Sequence, residues 1–385
     1  MDLRDRAEDT DEVPGELRPG WDAALEHLTA AVRDRAMPGA TFGLLSRGAL
    51  NVGAVGRFTY APESTAVQTT TRYDLASLTK ALATTAMAML LWQRGRLELD
   101  MPLAELLPGF VIGQTDSRSR ARVTLRMLLE HTSGMAEYAR LYERHSTKAE
   151  LFAAVLREPL VRLPGTAAAY SDLGFILLGK ALEVVAAEPL DRFCHREIFA
   201  PLGMKATGFG PVAVERPTIP PTERDEGFRC CTVQGVVHDE NCFVLGGVAG
   251  HAGLFGNAGD VLRFAGAMLT GLKGDGASLF EAETIRSFTL RNTQPTGTIR
   301  ALGWDTPGDE HSSAGSTFLP GSFGHLGFTG TSIWVDPTRE LAVVLLTNRT
   351  FPTRDNKKIQ VVRPLFHDAL LQGIEMSIWQ AGSTD

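Results

Sequence analysis

Two pairs of strand-like runs stand at opposite ends of this chain, and any fold it adopts has to reconcile them. Thr41 to Leu45 and Leu50 to Val55 read as strands joined at Ser46-Arg47-Gly48. Ser332 to Val335 and Leu341 to Thr347 flank Asp336-Pro337-Thr338-Arg339, a hairpin signal. Between them helical patterns dominate, at Leu125 to His131, Lys148 to Arg157, Leu173 to Ala187 and Val261 to Leu272. The expected class is α/β (α+β): one antiparallel sheet built from N- and C-terminal segments, flanked by helices, with a mostly helical region inserted. The expected divisions are a mobile arm over 1–20, a discontinuous sheet domain over 21–102 and 292–385, and a helical domain over 103–291. Trp21, Leu25, Leu28 and Val32 give the first helix its apolar face, and a closing helix is expected from Lys357 to Ile374, kinked at Pro364. A site between the two parts is a natural consequence of this arrangement.

Composition narrows the class of function. With 385 residues, 44% hydrophobic and 22% charged, the chain matches a soluble enzyme with a sizeable core. The net charge of -7 is spread without a basic run, which argues against nucleic acid as a partner. The most apolar run, Ala81 to Trp92, is too short to cross a bilayer. The first twelve residues lack the apolar stretch of an export signal, so a cytoplasmic location is expected. Cys194, Cys230, Cys231 and Cys242 form no C-x-x-C pair and are expected as reduced, mostly buried thiols.

Ala76-Ser77-Leu78-Thr79-Lys80 carries the first chemical signal. A serine three residues before a lysine at a helix mouth shares one face with it. A serine hydroxyl needs an adjacent base to become a nucleophile. Lysine can serve if the apolar helix from Ser77 to about Arg94 desolvates it and lowers its pKa. Taken alone, Ser77 could equally be a helix cap. Tyr170-Ser171-Asp172 then precedes a second helix, which puts Tyr170 on a loop able to reach a cleft. His325-Leu326-Gly327 precedes a C-terminal strand, where a glycine lets substrate approach the backbone.

The order S-x-x-K, Y-x-[ND], [KH]-x-G resembles the penicillin-recognising serine enzymes, and the chain looks like a member of the class C β-lactamase-like group. That group also holds D-alanyl-D-alanine carboxypeptidases, D-aminopeptidases and S-x-x-K carboxylesterases. Leu128-Leu129-Glu130-His131-Thr132-Ser133-Gly134, Pro201-Leu202-Gly203-Met204 and Gly324 to Thr331 extend the likeness, which runs from about Trp21 to Leu371. The resemblance implies Ser77 as nucleophile, Lys80 as its base partner and Tyr170 as proton shuttle to the leaving group. It implies an oxyanion hole from the amides of Ser77 and Phe328; a rival frame on Phe328-Thr329-Gly330 would move the second amide three residues on. Asp172, His325, Gly327, Phe328 and His251 are the expected substrate-side residues.

Two positions depart from the group's β-lactamases. Asp172 stands where asparagine is usual; ionised, it can bind Lys80 and raise its pKa but offers no donor to substrate. His325 replaces a lysine and is mostly neutral at pH 7. Both departures favour an ester or peptide over a β-lactam, with a carboxylesterase first, a D-peptidase second and a β-lactamase third. A non-catalytic binding module of the same fold is the alternative from another class. The expected partner is a small-molecule ester, amide or β-lactam, without nucleic acid or membrane. No metal or cofactor is expected: Val237-His238-Asp239-Glu240-Asn241 with His251 lacks ligand spacing, and the glycines from Gly246 to Gly259 match no phosphate loop. The G-x-S-x-G elbow of α/β-hydrolases is absent. His131 is expected to be structural.

Overall fold

The computed structural model describes residues 13–274, 278–308 and 312–382, with backbone alone for 374–382. Its central element is one antiparallel sheet of five strands: β1 (Gly39–Ser46), β2 (Ala49–Gly56), β3 (Phe323–Leu326), β4 (Ser332–Asp336) and β5 (Leu341–Thr347). Their spatial order is β2-β1-β5-β4-β3. The two chain ends meet where β1 pairs with β5, Gly43 opposite Val344. Ser46 faces Ala49 across the first hairpin, leaving Arg47 and Gly48 as a two-residue turn with φ of 49° and 84°. Positive φ at both central residues gives the turn whose twist matches the strands. The sheet from two termini is therefore as expected. His325 and Leu326, read as preceding a strand, lie within the edge strand β3.

Among the helices that pack around the sheet and the site are α1 (Arg18–Arg33), α2 (Ala86–Gln93), α3 (Asp172–Ala186), α4 (Ala258–Lys273) and α5 (Ile359–Gly382). Side chains alternate across a strand, and the two faces of this sheet have separate cores. Phe42, Leu44, Trp334, Val343 and Leu345 pack with Trp21 and Leu28 of α1 and Phe366 and Leu370 of α5. Ala342, Val344, Leu346, Ile333 and Val335 belong to the larger core, which also holds Leu262 and Ala265 of α4 and the helices beyond. Each fully buried Leu, Val or Phe contributes on the order of 1.5–3 kcal/mol. Gly43 admits α4: a β-carbon there would lie 2.7 Å from Leu262 Cδ1.

Three boundaries differ from expectation. Residues 1–12 of the expected arm lie outside the described residues, while Val13 and Leu17 are buried against the α1–α5 core. Helix α4, placed by sequence in the helical insertion, lies directly on β1 and β5, because its apolar stripe is what covers the second face of the sheet. Helix α5 runs to Gly382 with Pro364 inside it, beyond the expected end at Ile374. Among the described residues, no helix is long and apolar enough to cross a membrane. Cys194 and Cys242 are buried, but Cys230 and Cys231 are exposed, so the thiols are buried only in part.

Candidate active site

The segment leading to Ser77 is held from several directions. Tyr73–Asp74 pairs with Leu254–Gly256 as a short strand. The Asp74 carboxylate accepts from the Ala76 amide at 2.8 Å and from the His238 amide at 2.7 Å. Thr329 and Thr331 hydroxyls donate to the Asp74 and Leu75 carbonyls at 2.8 and 3.0 Å. These bonds hold Ala76 at φ 47°, a left-handed conformation that is unfavourable for a residue with a β-carbon. Strain of this kind concentrates at functional sites, and here it falls one residue before Ser77. Gly327 has a structural reason different from the expected substrate approach: a β-carbon would lie 2.7 Å from the Leu75 carbonyl oxygen.

After Ser77 the chain makes one tight turn, with the Lys80 amide donating to the Ser77 carbonyl at 3.0 Å. It then enters a π-helical segment, Lys80–Thr85, before α2. A single helix from Ser77 was expected; wider turns of this type occur mostly in short pieces, often at functional sites. The Thr84 hydroxyl donates to the Gly250 carbonyl at 2.7 Å and so fixes the loop carrying His251.

Lys80 has no exposed surface. Its Nζ donates to Ser77 Oγ at 2.9 Å, to Asp172 Oδ1 at 2.6 Å and to the His251 carbonyl at 3.2 Å. It also lies 4.6 Å from the centre of the Tyr170 ring. Burial alone would depress the Lys80 pKa, but the Asp172 carboxylate and Tyr170 outweigh it and hold the ammonium above its ordinary value. The sequence argument that desolvation lowers Lys80 is thereby corrected, and the argument that Asp172 raises it holds. Burial also raises the Tyr170 hydroxyl, opposed by the Lys80 charge and by hydrogen bonds with Lys80 and Ser77.

Tyr170 is placed by residues that sequence reasoning did not assign to the site. The His131 ring lies 4.6 Å from the Tyr170 ring and 5.0 Å from that of Phe175. Its Nδ1 accepts from the Ser171 amide at 3.0 Å, and its carbonyl accepts from Ala169. Ser171 caps α3, which puts Asp172 at the first helical position. The Arg300 guanidinium lies 5.2 Å from the Tyr170 ring centre. No local pattern announces these contacts, since His131 and Ser171 are forty residues apart.

The expected substrate-side residues divide. Asp172, His251, Gly327 and Phe328 line a cavity of about 500 Å³ with Ser77 and Tyr170. His325 does not line it: it is 2% exposed, its ring is 6.0 Å from that of Tyr170, and its Nδ1 meets the Leu326 carbonyl at 2.8 Å. Burial, then the Lys80 charge, pushes its pKa down to about 3, so the ring is neutral. Phe328 is 49% exposed, whereas Thr331 is fully buried and away from the cavity. The frame that ends on Phe328, not its rival, reaches the cavity wall. Neither the Ser77 nor the Phe328 amide donates to another group among the described residues.

Another part of the lining was not foreseen. Arg349, Arg354 and Arg363 line the same cavity. Arg354 is neutralised by Glu223 and Glu240. Arg349 meets only the carbonyls of Phe328, Arg354 and Asn356, and its guanidinium covers the Phe328 ring at 4.5 Å. Arg363 meets the Gly327 and Thr331 carbonyls, leaves its Nε unpartnered, and has its pKa pushed down to about 10 by burial and by Arg349. Burying the Arg363 guanidinium without a carboxylate is costly, so Arg363 can accept an anion; Arg349 already feels the Glu223 charge. Among the described residues no three His, Cys, Asp or Glu side chains gather as a metal site.

Comparison with known proteins identifies the family. The family model described as Beta-lactamase matches residues 21–364. A putative D-alanyl-D-alanine carboxypeptidase of Escherichia coli (strain K12) is 34% identical over 317 residues, covering 75% of this chain and 72% of that protein. A Salmonella typhi protein of the same description is 32% identical over 315 residues, covering 76% and 72%. EstCE1, a hydrolase with promiscuous acyltransferase activity, superposes with a TM-score of 0.72 at 22% identity, over 91% of this chain and 99% of its own. A class C β-lactamase from Rhodobacter sphaeroides superposes at 0.70 with 19% identity, over 92% and 99%. At those identities the two structures establish the fold alone. By the extent of the family match and the identity of its relatives, the chain belongs to the β-lactamase family of serine hydrolases.

Proposed function

We propose that this serine hydrolase works through an acyl-enzyme on Ser77, and that its substrates are small or medium acyl esters. Ser77 Oγ attacks the carbonyl carbon, and the Lys80–Tyr170 pair manages the proton. The oxyanion is received by the Ser77 and Phe328 amides, Tyr170 protonates the leaving group, and water releases the acyl group. Donors aimed at developing charge are usually the largest single contribution in such chemistry, with each worth about 2.7–4 kcal/mol. The observation that carries the reading is the 2.9 Å contact between Lys80 Nζ and Ser77 Oγ on the floor of an open cavity. The preference for esters over β-lactams rests on Asp172, whose Oδ1 is engaged by Lys80 and which has no donor for an acylamide.

A second reading, D-alanyl-D-alanine carboxypeptidase, is favoured by a specific observation. Arg363 hydrogen-bonds only backbone carbonyls and has an unpartnered Nε, while Arg349 feels the Glu223 charge without an ion pair to it; a C-terminal carboxylate would give Arg363 a partner. The putative description of the 34%-identical relative points the same way. Rates with p-nitrophenyl butyrate, a D-alanyl-D-alanine peptide and a chromogenic cephalosporin separate the two. Ester turnover exceeding the others supports the first reading, and peptide turnover exceeding ester turnover replaces it with the second. A cephalosporin hydrolysed faster than both overturns the argument from Asp172.

A further inference from the structure

We propose that Arg363 is a positioning residue of the oxyanion hole: it stands behind the Gly327–Phe328 peptide, and its charge finds a counter-charge in the oxyanion that the Phe328 amide receives. This deepens the serine-hydrolase reading and rests on Ser77 as nucleophile and the Phe328 amide as donor. A trans peptide is planar, so its carbonyl and its amide point to opposite sides. A hydrogen bond accepted by the carbonyl fixes the direction of the amide and strengthens it as a donor, because linked bonds polarise one another. Both peptides of the proposed hole are trans and are backed in this way. The Ala76 carbonyl, in the peptide that carries the Ser77 amide, accepts from the Thr79 hydroxyl at 2.6 Å and the Thr79 amide at 3.0 Å. The Gly327 carbonyl, in the peptide that carries the Phe328 amide, accepts from the Gly330 amide at 3.0 Å and from Arg363 Nη2 at 3.4 Å. The first peptide is backed by a hydroxyl, the second by a cation.

Arg363 reaches this place from α5 and is 6% exposed. Its Nη2 spans the turn between β3 and β4, donating also to the Thr331 carbonyl at 3.2 Å. The Gly327 amide donates to that same carbonyl at 2.8 Å, so the turn closes on itself against the guanidinium. At 3.4 Å the contact with Gly327 is long for a hydrogen bond. What Arg363 supplies there is chiefly charge, which acts over longer distances than a hydrogen bond does. That charge is uncompensated in the resting enzyme: Nη2 meets carbonyls and Nε has no partner. The neighbouring Arg349, which holds the Phe328 carbonyl at 2.8 Å, adds a like charge. A buried cation without a counter-charge is a cost to the folded protein. It becomes an asset when negative charge develops beside it, and only interactions stronger in the transition state accelerate the chemical step.

Arg363 also lines the cavity, and a carboxylate of the substrate is a different counter-charge for it. The two roles move different constants. Binding a carboxylate changes KM for substrates that carry one and leaves a neutral ester untouched. Support of the hole changes kcat/KM for a neutral ester, because the oxyanion forms whatever the substrate's own charge. A purely structural tie of α5 to the turn would depend on size and hydrogen bonding and not on charge.

The test uses the full chain, p-nitrophenyl butyrate, which carries no carboxylate, and n-butylboronic acid, which becomes a tetrahedral anion when a serine adds to boron. A fluorophosphonate probe and mass spectrometry first locate the activated serine. An adduct on a residue other than Ser77, or none, overturns the serine-hydrolase reading itself and this inference with it. With the adduct on Ser77, Arg363→Gln should lower kcat/KM for the ester about ten- to a hundred-fold and raise the boronic acid Ki by a similar factor. Arg363→Lys keeps the charge and should stay within about three-fold of wild type near about pH 6. Its buried amine loses a proton more readily than a guanidinium, so its kcat/KM relative to wild type should fall towards the Arg363→Gln level by about pH 9.5. Ester kinetics unchanged in Arg363→Gln overturn the inference in favour of carboxylate binding. Equal losses in both variants at every pH overturn it in favour of a structural tie. Should Arg363→Gln fail to fold, the Arg363→Lys profile decides alone, and a ratio to wild type that stays flat across that pH range overturns the inference.

Discussion

The two walls of the cavity handle charge in opposite ways. Around Ser77, every donor of Lys80 has an acceptor, and the nearest carboxylate sits 2.6 Å from the ammonium. Elsewhere on the lining, the Arg349 and Arg363 guanidiniums are largely buried and hydrogen-bond only backbone carbonyls, and one Arg363 nitrogen has no partner. Low local dielectric strengthens both arrangements. The first is closed, and in the proposed mechanism it moves protons among its own members. The second is open at Arg363, whose charge has no carboxylate in hydrogen bond among the described residues. The proposed mechanism thus places chemistry and selection on different parts of the lining, with the Phe328 ring under Arg349.

The largest effect should come from removing the closed wall's nucleophile. Ser77→Ala should cost at least about a thousand-fold in kcat/KM while melting at the wild-type temperature. A variant retaining full activity would dissolve the division of labour altogether. Next, Tyr170→Phe removes a proton-transferring hydroxyl and keeps the ring against His131. It should lower kcat by roughly a hundred- to ten-thousand-fold; a change confined to KM would move Tyr170 to the selecting wall.

The open wall should answer differently. Arg349→Gln should raise KM for a D-alanyl-D-alanine peptide about ten- to a hundred-fold, the loss of one charge-assisted bond. kcat/KM for p-nitrophenyl acetate should stay within about two-fold of wild type. Equal losses on both substrates would mean that Arg349 supports the Phe328 loop through its carbonyl contacts instead of binding an anion.

The smallest effect concerns pH and stability. His325, on the closed side, is held at about pKa 3 chiefly by burial, as is His367 beside β4. A histidine depressed in the folded state binds more protons when unfolded. Its contribution is therefore present above the unfolded value near 6.5 and lost progressively as pH falls from there towards 3. Each should cost roughly 1.4 kcal/mol per pH unit in that window, seen as a falling midpoint in denaturant melts between pH 7 and 5. His325→Asn and His367→Asn should each flatten that slope. An unchanged slope would assign acid sensitivity elsewhere.

Much of the fold is legible in the chain itself, where the physics is local or periodic. Short, mostly apolar runs at Thr41–Leu45 and Leu341–Thr347 mark strands because both faces of each are buried, one on each of two cores. Lys148–Arg157 is legible to the residue because Thr147 caps it and its apolar stripe is regular. Ser77, Lys80, Tyr170 and Asp172 stand out because their spacings survive in sequence. The π-helical start after Lys80 leaves no such trace, since hydrophobicity all round that helix erases the periodicity that would report its pitch.

Identity and order along the chain determined which elements form, that the ends share a sheet, and which side chains the proposed chemistry uses. Tertiary structure alone decided their protonation and their company. Lys80 is an ammonium because Asp172, ninety-two positions away, outweighs burial. His325 is turned from substrate binding to packing behind Tyr170 by a position within an edge strand. Arg349 and Arg363 reach the cavity only because the C-terminal segment folds back past Gly327. A pKa and an unpaired charge are sums over neighbours in space, and those neighbours are far apart in the chain.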